Sequence, residues 1–328
     1  MALHRAVSTV WAQTGAAMTH LVIPIAVVIS IFFSCSATAE NETGRGSGRD
    51  INKSLVVGYS RQVFYNVDPN DIMGLTKVWA RIVDRKMGNV RESRVVVFRT
   101  MAEAESALKS ADVDVVALLP EEFLSLREKV PIAAVMSADY GKHFYNELVL
   151  IVRSDSGISR VAQLHGKSLR IESGQKGSLP IQWLDTYLMT RVSTDAASFF
   201  AGISEYPNAA QVIMPVFFGQ ADACLASRTS FEEMAELNPQ IGRRMRILAS
   251  SPGFVTGVIA VRGDIRNVRR DNMLKVLRQM QDDPKGRQLL TLFRINRLVE
   301  FRPEHMSSIE KVLREHRNRF ERNARRKS

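Results

Sequence analysis

Cysteine is nearly absent from this sequence. Its 328 residues include only Cys35 and Cys224, and Cys35 falls in an N-terminal segment that we expect to be removed. Cys224 then has no partner, which excludes an intrachain disulfide and a metal centre built on paired cysteines. A chain of this length needs no disulfide scaffold, because it can bury a core of its own.

The motifs of common catalytic sites are also missing. No histidine has the H-x-x-H or H-E-x-x-H spacing of a zinc site, and neither G-x-S-x-G nor the phosphate loop G-x-x-x-x-G-K-[ST] occurs. Cys224 lies in the apolar stretch ADACLA, which favours a buried, inert thiol over a nucleophile. Glu121 and Glu122 are adjacent, and adjacent helical residues do not converge. We therefore predict a protein that is not an enzyme and has no catalytic residue, cofactor or metal site.

Only one long hydrophobic run occurs, LVIPIAVVISIFF at residues 21–33. It is shorter than the roughly 20 residues of a membrane span. Arg5 precedes it, and small residues ending at Ala39 follow it, which is the pattern of a secretory signal. We predict a signal peptide over 1–39, a flexible polar leader over 40–53 and a periplasmic protein. The alternatives are an uncleaved anchor and a lipoprotein attached through Cys35.

The net charge of +11 raises the question of a nucleic-acid partner. Much of the excess lies in the last 15 residues, and neither interleaved aromatic residues nor a zinc or helix-turn-helix pattern accompanies it. We predict no nucleic-acid binding. The basic C-terminal helix is expected to be a solvated surface or to contact anionic headgroups at a membrane surface.

From residue 54 onward, short apolar strands alternate with helical patterns. This order predicts an α/β fold with parallel strands and right-handed crossovers. A turn cluster at 154–157 separates two such sets, and residues 255–262 resemble a strand that returns to the first set. We predict one lobe over 54–150 and 255–328 and another over 151–254, with the apolar strands at 145–153 and 258–262 running side by side between them. Ligands bind in clefts between such lobes.

The segment 145–180 carries a family resemblance. It reads YNELVLIVRSDSGISRVAQLHGKSLRIESGQKGSLP, with a tyrosine before an apolar strand, then R-x-D-S-G-I, L-x-G-K and a Ser/Gly loop that opens a helix. Gly-Gln-Ala-Asp-Ala at 219–223 and Ser-Ser-Pro at 250–252 follow in consistent order. The chain thereby resembles the phosphate/phosphite/phosphonate-binding proteins of ABC transporters, over residues 54–290.

The resemblance implies a fold and a function. It implies the type II periplasmic-binding-protein fold, with two hinge-linked, Rossmann-like lobes. It also implies a periplasmic solute-binding protein that captures a small oxyanion (phosphate, phosphite or phosphonate) between the lobes for an ABC importer. The alternatives are a binding protein that reports another small solute to a membrane sensor, and an enzyme on the same two-lobed fold.

The loop 173–178 is the first candidate for ligand binding. It follows a strand and opens a helix, whose N-terminus presents unpaired N–H groups and a positive dipole end to an anion. Two glycines would let the backbone approach a ligand, and a lysine adds positive charge. The family loop reads Ser-Thr-Ser-Gly, so the register here differs, and an ordinary helix cap is the alternative. The candidate residues are Ser173, Gly174, Lys176, Gly177 and Ser178.

Further candidates lie at other strand ends. Tyr59 and Ser60 follow the first strand and are expected to face the cleft. Thr100 follows the second strand, where it also fits a helix cap. Tyr145 matches the family tyrosine, although an aromatic residue before a strand also fits a core position. Asp222 lies in the G-x-A-D-A segment, where it accepts from the ligand or stabilises a turn.

Overall fold

The computed structural model describes the chain from Leu55 to Lys327 with four internal gaps and one single-residue gap. The described ranges are 55–64, 69–87, 93–139, 144–173, 178–293 and 295–327. The predicted signal peptide, leader and Cys35 lie outside them, as do Gly174, Lys176 and Gly177. In the described part, no helix is both long and apolar enough to cross a membrane.

The first sheet has six strands in the spatial order β11-β4-β10-β3-β1-β2. Strand β1 pairs in parallel with β2 and β3, whereas β10 runs antiparallel between β3 and β4, and β11 pairs antiparallel with β4. Runs of β-branched residues form its central strands because these strands are covered on both faces. The strands are β1 (Val56–Ser60), β2 (Arg94–Phe98), β3 (Val115–Leu118), β4 (Ile132–Asp139), β10 (Gly257–Arg262) and β11 (Arg297–Glu300).

The second sheet has five strands in the order β7-β6-β8-β5-β9. Strand β6 pairs in parallel with β7 and β8, and β5 runs antiparallel to β8 and β9. Both sheets therefore combine parallel strands with an antiparallel strand that follows a passage of the chain from the other sheet, which is β10 in the first sheet and β5 in the second. The strands are β5 (Leu148–Arg153), β6 (Ser168–Glu172), β7 (Gly202–Tyr206), β8 (Ala223–Ser227) and β9 (Met245–Ser250).

Helices follow most strands, and polar residues begin several of them. Thr100, Asn208 and Ser227 each accept a hydrogen bond from the backbone N–H three residues later, which satisfies a donor that the helix leaves open. The helices are α1 (Pro69–Met87), α2 (Met101–Lys109), α3 (Pro120–Arg127), α4 (Leu179–Arg191), α5 (Ala196–Phe199), α6 (Ala209–Phe217), α7 (Arg228–Leu237), α8 (Pro239–Arg244), α9 (Asn267–Gln279), α10 (Pro284–Leu292) and α11 (Ser307–Lys327).

The chain passes between the sheets twice, and described residues of the two passages pair with each other. Asn146 and Phe254 form an antiparallel bridge, with N–H to O distances of 2.8 and 2.9 Å in the two directions. The prediction that the apolar strands at 145–153 and 258–262 run side by side is wrong. Strand β5 lies in the second sheet and β10 in the first. Each strand is apolar because it is buried between two neighbouring strands of its own sheet, and not because it crosses between the sheets.

The C-terminal helix α11 contacts elements next to both sheets. Its Glu310 accepts from Arg127 of α3 at 2.6 Å, and its His316 Nε2 lies 3.4 Å from Asp185 Oδ2 of α4. Ile309 and Val312 are buried in the same apolar cluster as α3 and α4 side chains. The helix is therefore packed on the protein along its N-terminal half.

Candidate functional site

A cavity of about 650 Å³ lies between the two sheets. Residues from both sheets line it, together with the segments 146–148 and 254–257 that pass between them. Concave spaces of this size between α/β layers are where ligands bind in such folds. We therefore take this cavity as the candidate functional site.

The first-sheet side of the cavity is apolar. Side chains at alternate positions of a strand share a face, and this places Val57 and Tyr59 of β1 beside Val115 of β3. The Tyr59 ring meets Trp79 of α1 edge to face, with centroids 6.1 Å apart. Apolar side chains of β10, of β11 and of the segment from α10 to β11 complete this side of the cavity, which we call the chamber: Ile259, Leu290, Phe293, Ile295 and Leu298.

A carboxyl group sits where β3 leads into α3. Glu121 lines the cavity, and its Oε1 atom is shielded from solvent and has no hydrogen-bond partner. Burial, with a smaller contribution from the neighbouring Glu122 carboxyl, raises the pKa of Glu121 to about 8. At neutral pH the Glu121 side chain is therefore mostly protonated in the folded protein.

The carboxyl group of Glu122 caps the N-terminal end of α3. Glu122 Oε2 accepts from Leu119 N at 2.8 Å, and Glu122 Oε1 accepts from Ser60 Oγ at 2.6 Å. Burial raises the pKa of Glu122, although these hydrogen bonds act against the rise. The Glu122 carboxyl thus satisfies the N–H of Leu119, the cap residue of α3, and links it to the Ser60 hydroxyl.

A similar arrangement occurs on the second-sheet side. Glu172, the last residue of β6, accepts from Ser227 N at 2.9 Å and from Ser230 Oγ at 3.0 Å. Ser227 Oγ and Ser230 Oγ are hydrogen-bonded at 2.6 Å. A side-chain carboxylate therefore already occupies the N-terminus of α7, the position that attracts anions in other proteins.

Two more carboxylates complete the wall. Glu147 Oε2 accepts from Arg228 Nη2 at 2.7 Å and from Arg228 Nε at 2.9 Å, which forms an ion pair at the edge of the cavity. Glu233 lies on an exposed face of α7 and also lines the cavity. Four glutamates therefore line the cavity, and the lining residues that the structure describes include no lysine, arginine or histidine.

The structure places Tyr59 in the cavity wall, with Ser60 and Thr100 in other roles. Ser60 is 1% exposed and bonds Glu122 behind the wall. Thr100 begins α2, where its Oγ1 accepts from Glu103 N at 3.2 Å. Thr100 therefore has the helix-cap role that was the alternative to ligand binding.

Tyr145 and Asp222 lie outside the set of residues that line the cavity. The Tyr145 ring is 42% exposed and packs edge to face on Phe144, with centroids 4.8 Å apart. Asp222 precedes β8, at the opposite end of that strand from Ser227. Its Oδ2 accepts from Ser168 N at 2.9 Å and from Ser168 Oγ at 2.7 Å, which stabilises the start of β6.

Ser173 and Ser178 line a smaller pocket of about 240 Å³ with Pro180, Ile181 and Glu205. Ser178 precedes α4 and makes no side-chain capping bond, so its hydroxyl does not satisfy the helix N-terminus. The other three loop candidates lie outside the described residues.

The glutamates of the cavity and the Ser227–Ser230 turn are not among the residues predicted from the sequence. A signal was present: ligands bind beyond the carboxyl ends of parallel strands, and Glu172 and Ser227 are the last residues of β6 and β8. Glu121 follows β3 by the same rule. No predicted site residue follows the carboxyl end of β3 or β8.

The described side chains offer little for covalent or metal chemistry. Cys224 is fully buried in β8, and burial raises the pKa of its thiol, which keeps it protonated. Among the residues that the structure describes, no group of three or more His, Cys, Asp or Glu side chains could hold a metal ion.

Comparison with protein-family models gives one match over most of the chain. Residues 66–306 match the model described as an ABC transporter, phosphonate, periplasmic substrate-binding protein. A search of the curated proteins found no match.

Several solved structures share the fold of this chain. XAC2383 from Xanthomonas citri bound to ATP is 18% identical, with 81% of this chain and 97% of that chain covered and a TM-score of 0.60. PhnD1 from Prochlorococcus marinus in complex with methylphosphonate is 15% identical, with 80% and 97% covered and a TM-score of 0.57. A binding protein component of a phosphonate ABC transporter (PA3383) from Pseudomonas aeruginosa is 10% identical, with 79% and 86% covered and a TM-score of 0.56.

Proposed function

The chain belongs to the family of periplasmic substrate-binding proteins of phosphonate ABC transporters, and on that premise we propose that it captures its solute in the cavity between the two sheets. It has the type II periplasmic-binding fold, its family is non-enzymatic, and its function is solute binding. The observation that carries the proposal is that residues of both sheets line one cavity of about 650 Å³.

The two sheets would act as two lobes that close on the solute. The Asn146–Phe254 bridge supports a hinge at the two chain passages, because it pairs described residues of one passage with those of the other. Residues 54–150 with 255–328, and residues 151–254, are the lobes that we propose from the sequence. The bridge and the start of β5 at Leu148 favour a hinge a few residues before position 150.

An oxyanion remains the ligand class that the family resemblance predicts. Its strongest support among the described residues is the N-terminus of α4, where Ser178 leaves the helix without a side-chain cap and shares a pocket with Ser173. Isothermal titration with phosphate, phosphite and methylphosphonate tests this prediction. The double variant Ser178→Ala, Tyr59→Ala should bind an oxyanion at least about tenfold more weakly, the equivalent of about 1.4 kcal/mol. Unchanged affinity would exclude these contacts.

The cavity itself is tested by filling it. Ala117→Trp places an indole in the chamber, and Ala210→Trp does so from an exposed position of α6 at the edge. Both should abolish the thermal stabilisation produced by any solute found in a panel that includes methylphosphonate and ATP, the ligands of the two solved relatives. Ala102→Trp, on an exposed position of α2, is the matched control. Solute binding that survives in both cavity variants would place the site elsewhere.

The partners follow from the family. Its members work with ABC permeases in the periplasm; a membrane sensor as the partner of this chain is the alternative. A lipid anchor at Cys35 would tether the protein. The exposed Lys311, Arg314 and Arg317 lie three residues apart on α11 and so share a face, which supports contact with an anionic membrane surface. Sedimentation with anionic and neutral vesicles would separate this contact from a merely solvated face.

A further inference from the structure

The chamber on the first-sheet side bears on the size and polarity of the solute. We propose that this solute is an organic phosphonate with an apolar substituent of several carbon atoms, and that the chamber holds this substituent. The inference rests on the proposed function, because it assumes that an oxyanion binds in the cavity between the sheets. It goes further in naming the part of the ligand that the first sheet recognises.

The first support is the position of the chamber inside the first lobe. Val57 and Val115 of the sheet, Trp79 of α1 and Leu290 of α10 are buried in one apolar cluster, and the same four side chains line the cavity. The cavity therefore extends from the space between the sheets into the space between the first sheet and the helices α1 and α10. Apolar space inside a protein takes up apolar groups in preference to water.

The second support is a recess in the face of the sheet that lines the chamber. Tyr59 of β1 lies opposite Ala117 of β3, and Ala117 lies opposite Ile259 of β10, so the three side chains form one row across neighbouring strands. All three residues line the cavity. The small alanine between two large side chains leaves a recess in this row, where an alkyl chain or a ring would gain van der Waals contacts.

The third support is the position of the N-terminus of α4, the proposed contact of the oxyanion. Leu179, the first residue of α4, lines the large cavity, and the preceding Ser178 lines the smaller pocket. A phosphonate group at Ser178 can therefore extend its substituent past Leu179 into the large cavity. The phosphonate group alone would fill a small part of about 650 Å³, a volume typical of sites for larger organic ligands.

The glutamates of the cavity wall are compatible with an anionic head group. Glu121 is mostly protonated at neutral pH, because burial raises its pKa to about 8. Glu147 is paired with Arg228 at 2.7 Å, and Glu172 accepts two hydrogen bonds from the start of α7. Glu233 lies at the exposed edge of the cavity, where water and salt screen its charge.

The first experiment is a homologous series of ligands. We would titrate the mature protein with methyl-, butyl-, hexyl- and octylphosphonate by isothermal calorimetry, at concentrations at which the compounds form no micelles. Burial of one methylene group strengthens binding up to about fourfold, the equivalent of about 0.8 kcal/mol. Hexylphosphonate should therefore bind at least about thirtyfold more tightly than methylphosphonate, which requires about half of this free energy for each added methylene group.

The second experiment fills the recess in the sheet. Ala117→Leu should weaken hexylphosphonate binding at least about tenfold and leave methylphosphonate binding within about twofold, because the added side chain takes the place of the substituent and not of the head group. Retained methylphosphonate binding also shows that the variant is folded. Ala102→Leu, at an exposed position of α2, is the matched control and should bind the whole series as the wild type does.

The third experiment locates the substituent by fluorescence. The sequence has three tryptophans, of which Trp11 belongs to the predicted signal peptide. Trp79 lines the chamber, whereas Trp183 is buried in α4 and lies outside the described lining. Bromine quenches the fluorescence of an indole that it touches. 6-Bromohexylphosphonate should therefore quench the wild-type protein more strongly than hexylphosphonate does, and this difference should disappear in Trp79→Phe.

The outcomes separate this inference from the proposed function. Equal affinity across the series, with methylphosphonate bound, would overturn the apolar substituent and leave the oxyanion site standing. A rising series that Ala117→Leu leaves unchanged, or bromine quenching that persists in Trp79→Phe, would place the substituent outside the chamber and overturn the inference as well. If no phosphonate of the series binds the wild-type protein, the oxyanion of the proposed function fails, and this inference fails with it.

Discussion

Replacing Glu121 with glutamine tests the electrostatics of the cavity through the stability of the protein. Burial raises the pKa of the Glu121 carboxyl from an ordinary 4.5 to about 8. Between these two pH values the folded protein holds a proton that the unfolded chain releases. The free energy of unfolding must therefore fall as the pH rises through this window. Glutamine keeps the shape of the side chain and cannot ionise.

The expected size of the effect follows from the two pKa values. At about 1.4 kcal/mol for each pH unit between them, the carboxyl group would cost up to about 5 kcal/mol at pH 8 and less than about 1 kcal/mol at pH 5. Residual solvation reduces this limit, so we expect Glu121→Gln to be more stable than the wild type by about 2–4 kcal/mol at pH 8.5. At pH 5 the two proteins should agree within about 1 kcal/mol.

Urea denaturation at pH 5, 7 and 8.5 measures this difference. Glu122 is present in both proteins, so its own raised pKa changes the two stability curves together. Glu128→Gln, at an exposed position at the end of the same helix, removes an equal charge and should shift stability by less than about 0.5 kcal/mol at every pH. Parallel curves for Glu121→Gln and the wild type would show that the Glu121 carboxyl is solvated and ionises at its ordinary pH.

Four other substitutions test the packing that positions the site. Ser60→Ala removes the hydroxyl that bonds the buried Glu122 and should lower the free energy of unfolding in urea by about 1–3 kcal/mol; a smaller loss would mean that water replaces the hydroxyl. Gly58→Ala should cost about 1–3 kcal/mol because its methyl group would collide with the Phe98 ring, whereas Gly74→Ala, with open space around it in α1, should raise the melting temperature. Asp185→Ala removes the acceptor of the Ala196 N–H and the partner of His316, and should speed amide exchange at the start of α5; unchanged exchange there would contradict this role.

The fold could be predicted from local features of the sequence. Short β-branched runs, helix caps such as Thr100 and the ordered motifs between residues 145 and 180 are properties of neighbouring residues, and the predicted type II fold is confirmed. The passages between the sheets were harder to predict. A strand inside a sheet and a strand that crosses between lobes can be equally apolar, so the sequence pattern does not distinguish them. The predicted crossings were β5 and β10, whereas the segments around Asn146 and Phe254 make the crossings.

The cavity was less accessible to prediction because its glutamates are distant in sequence. Glu121, Glu172 and Glu233 follow different elements, and only the pairing of β6 with β8 and the packing of the two sheets bring them to one wall. Adjacent residues can also have opposite roles. Glu122 accepts hydrogen bonds from the cap residue of α3 and from Ser60, whereas Glu121 lines the cavity. This difference depends on the position of Ser60, which is distant in sequence.

The position of α11 has a consequence for how the protein acquires its structure. The strands of the second sheet are contiguous in the chain, from Leu148 to Ser250, which by itself would suit an independent folding unit. However, α11 packs on α4, and the His316–Asp185 contact spans 131 residues. Contacts of such long range form late and slow folding. A chain emerging from the ribosome or the export channel therefore leaves this face of α4 uncovered until the residues around His316 have appeared. A fragment that ends before α11 would expose the same surface to aggregation.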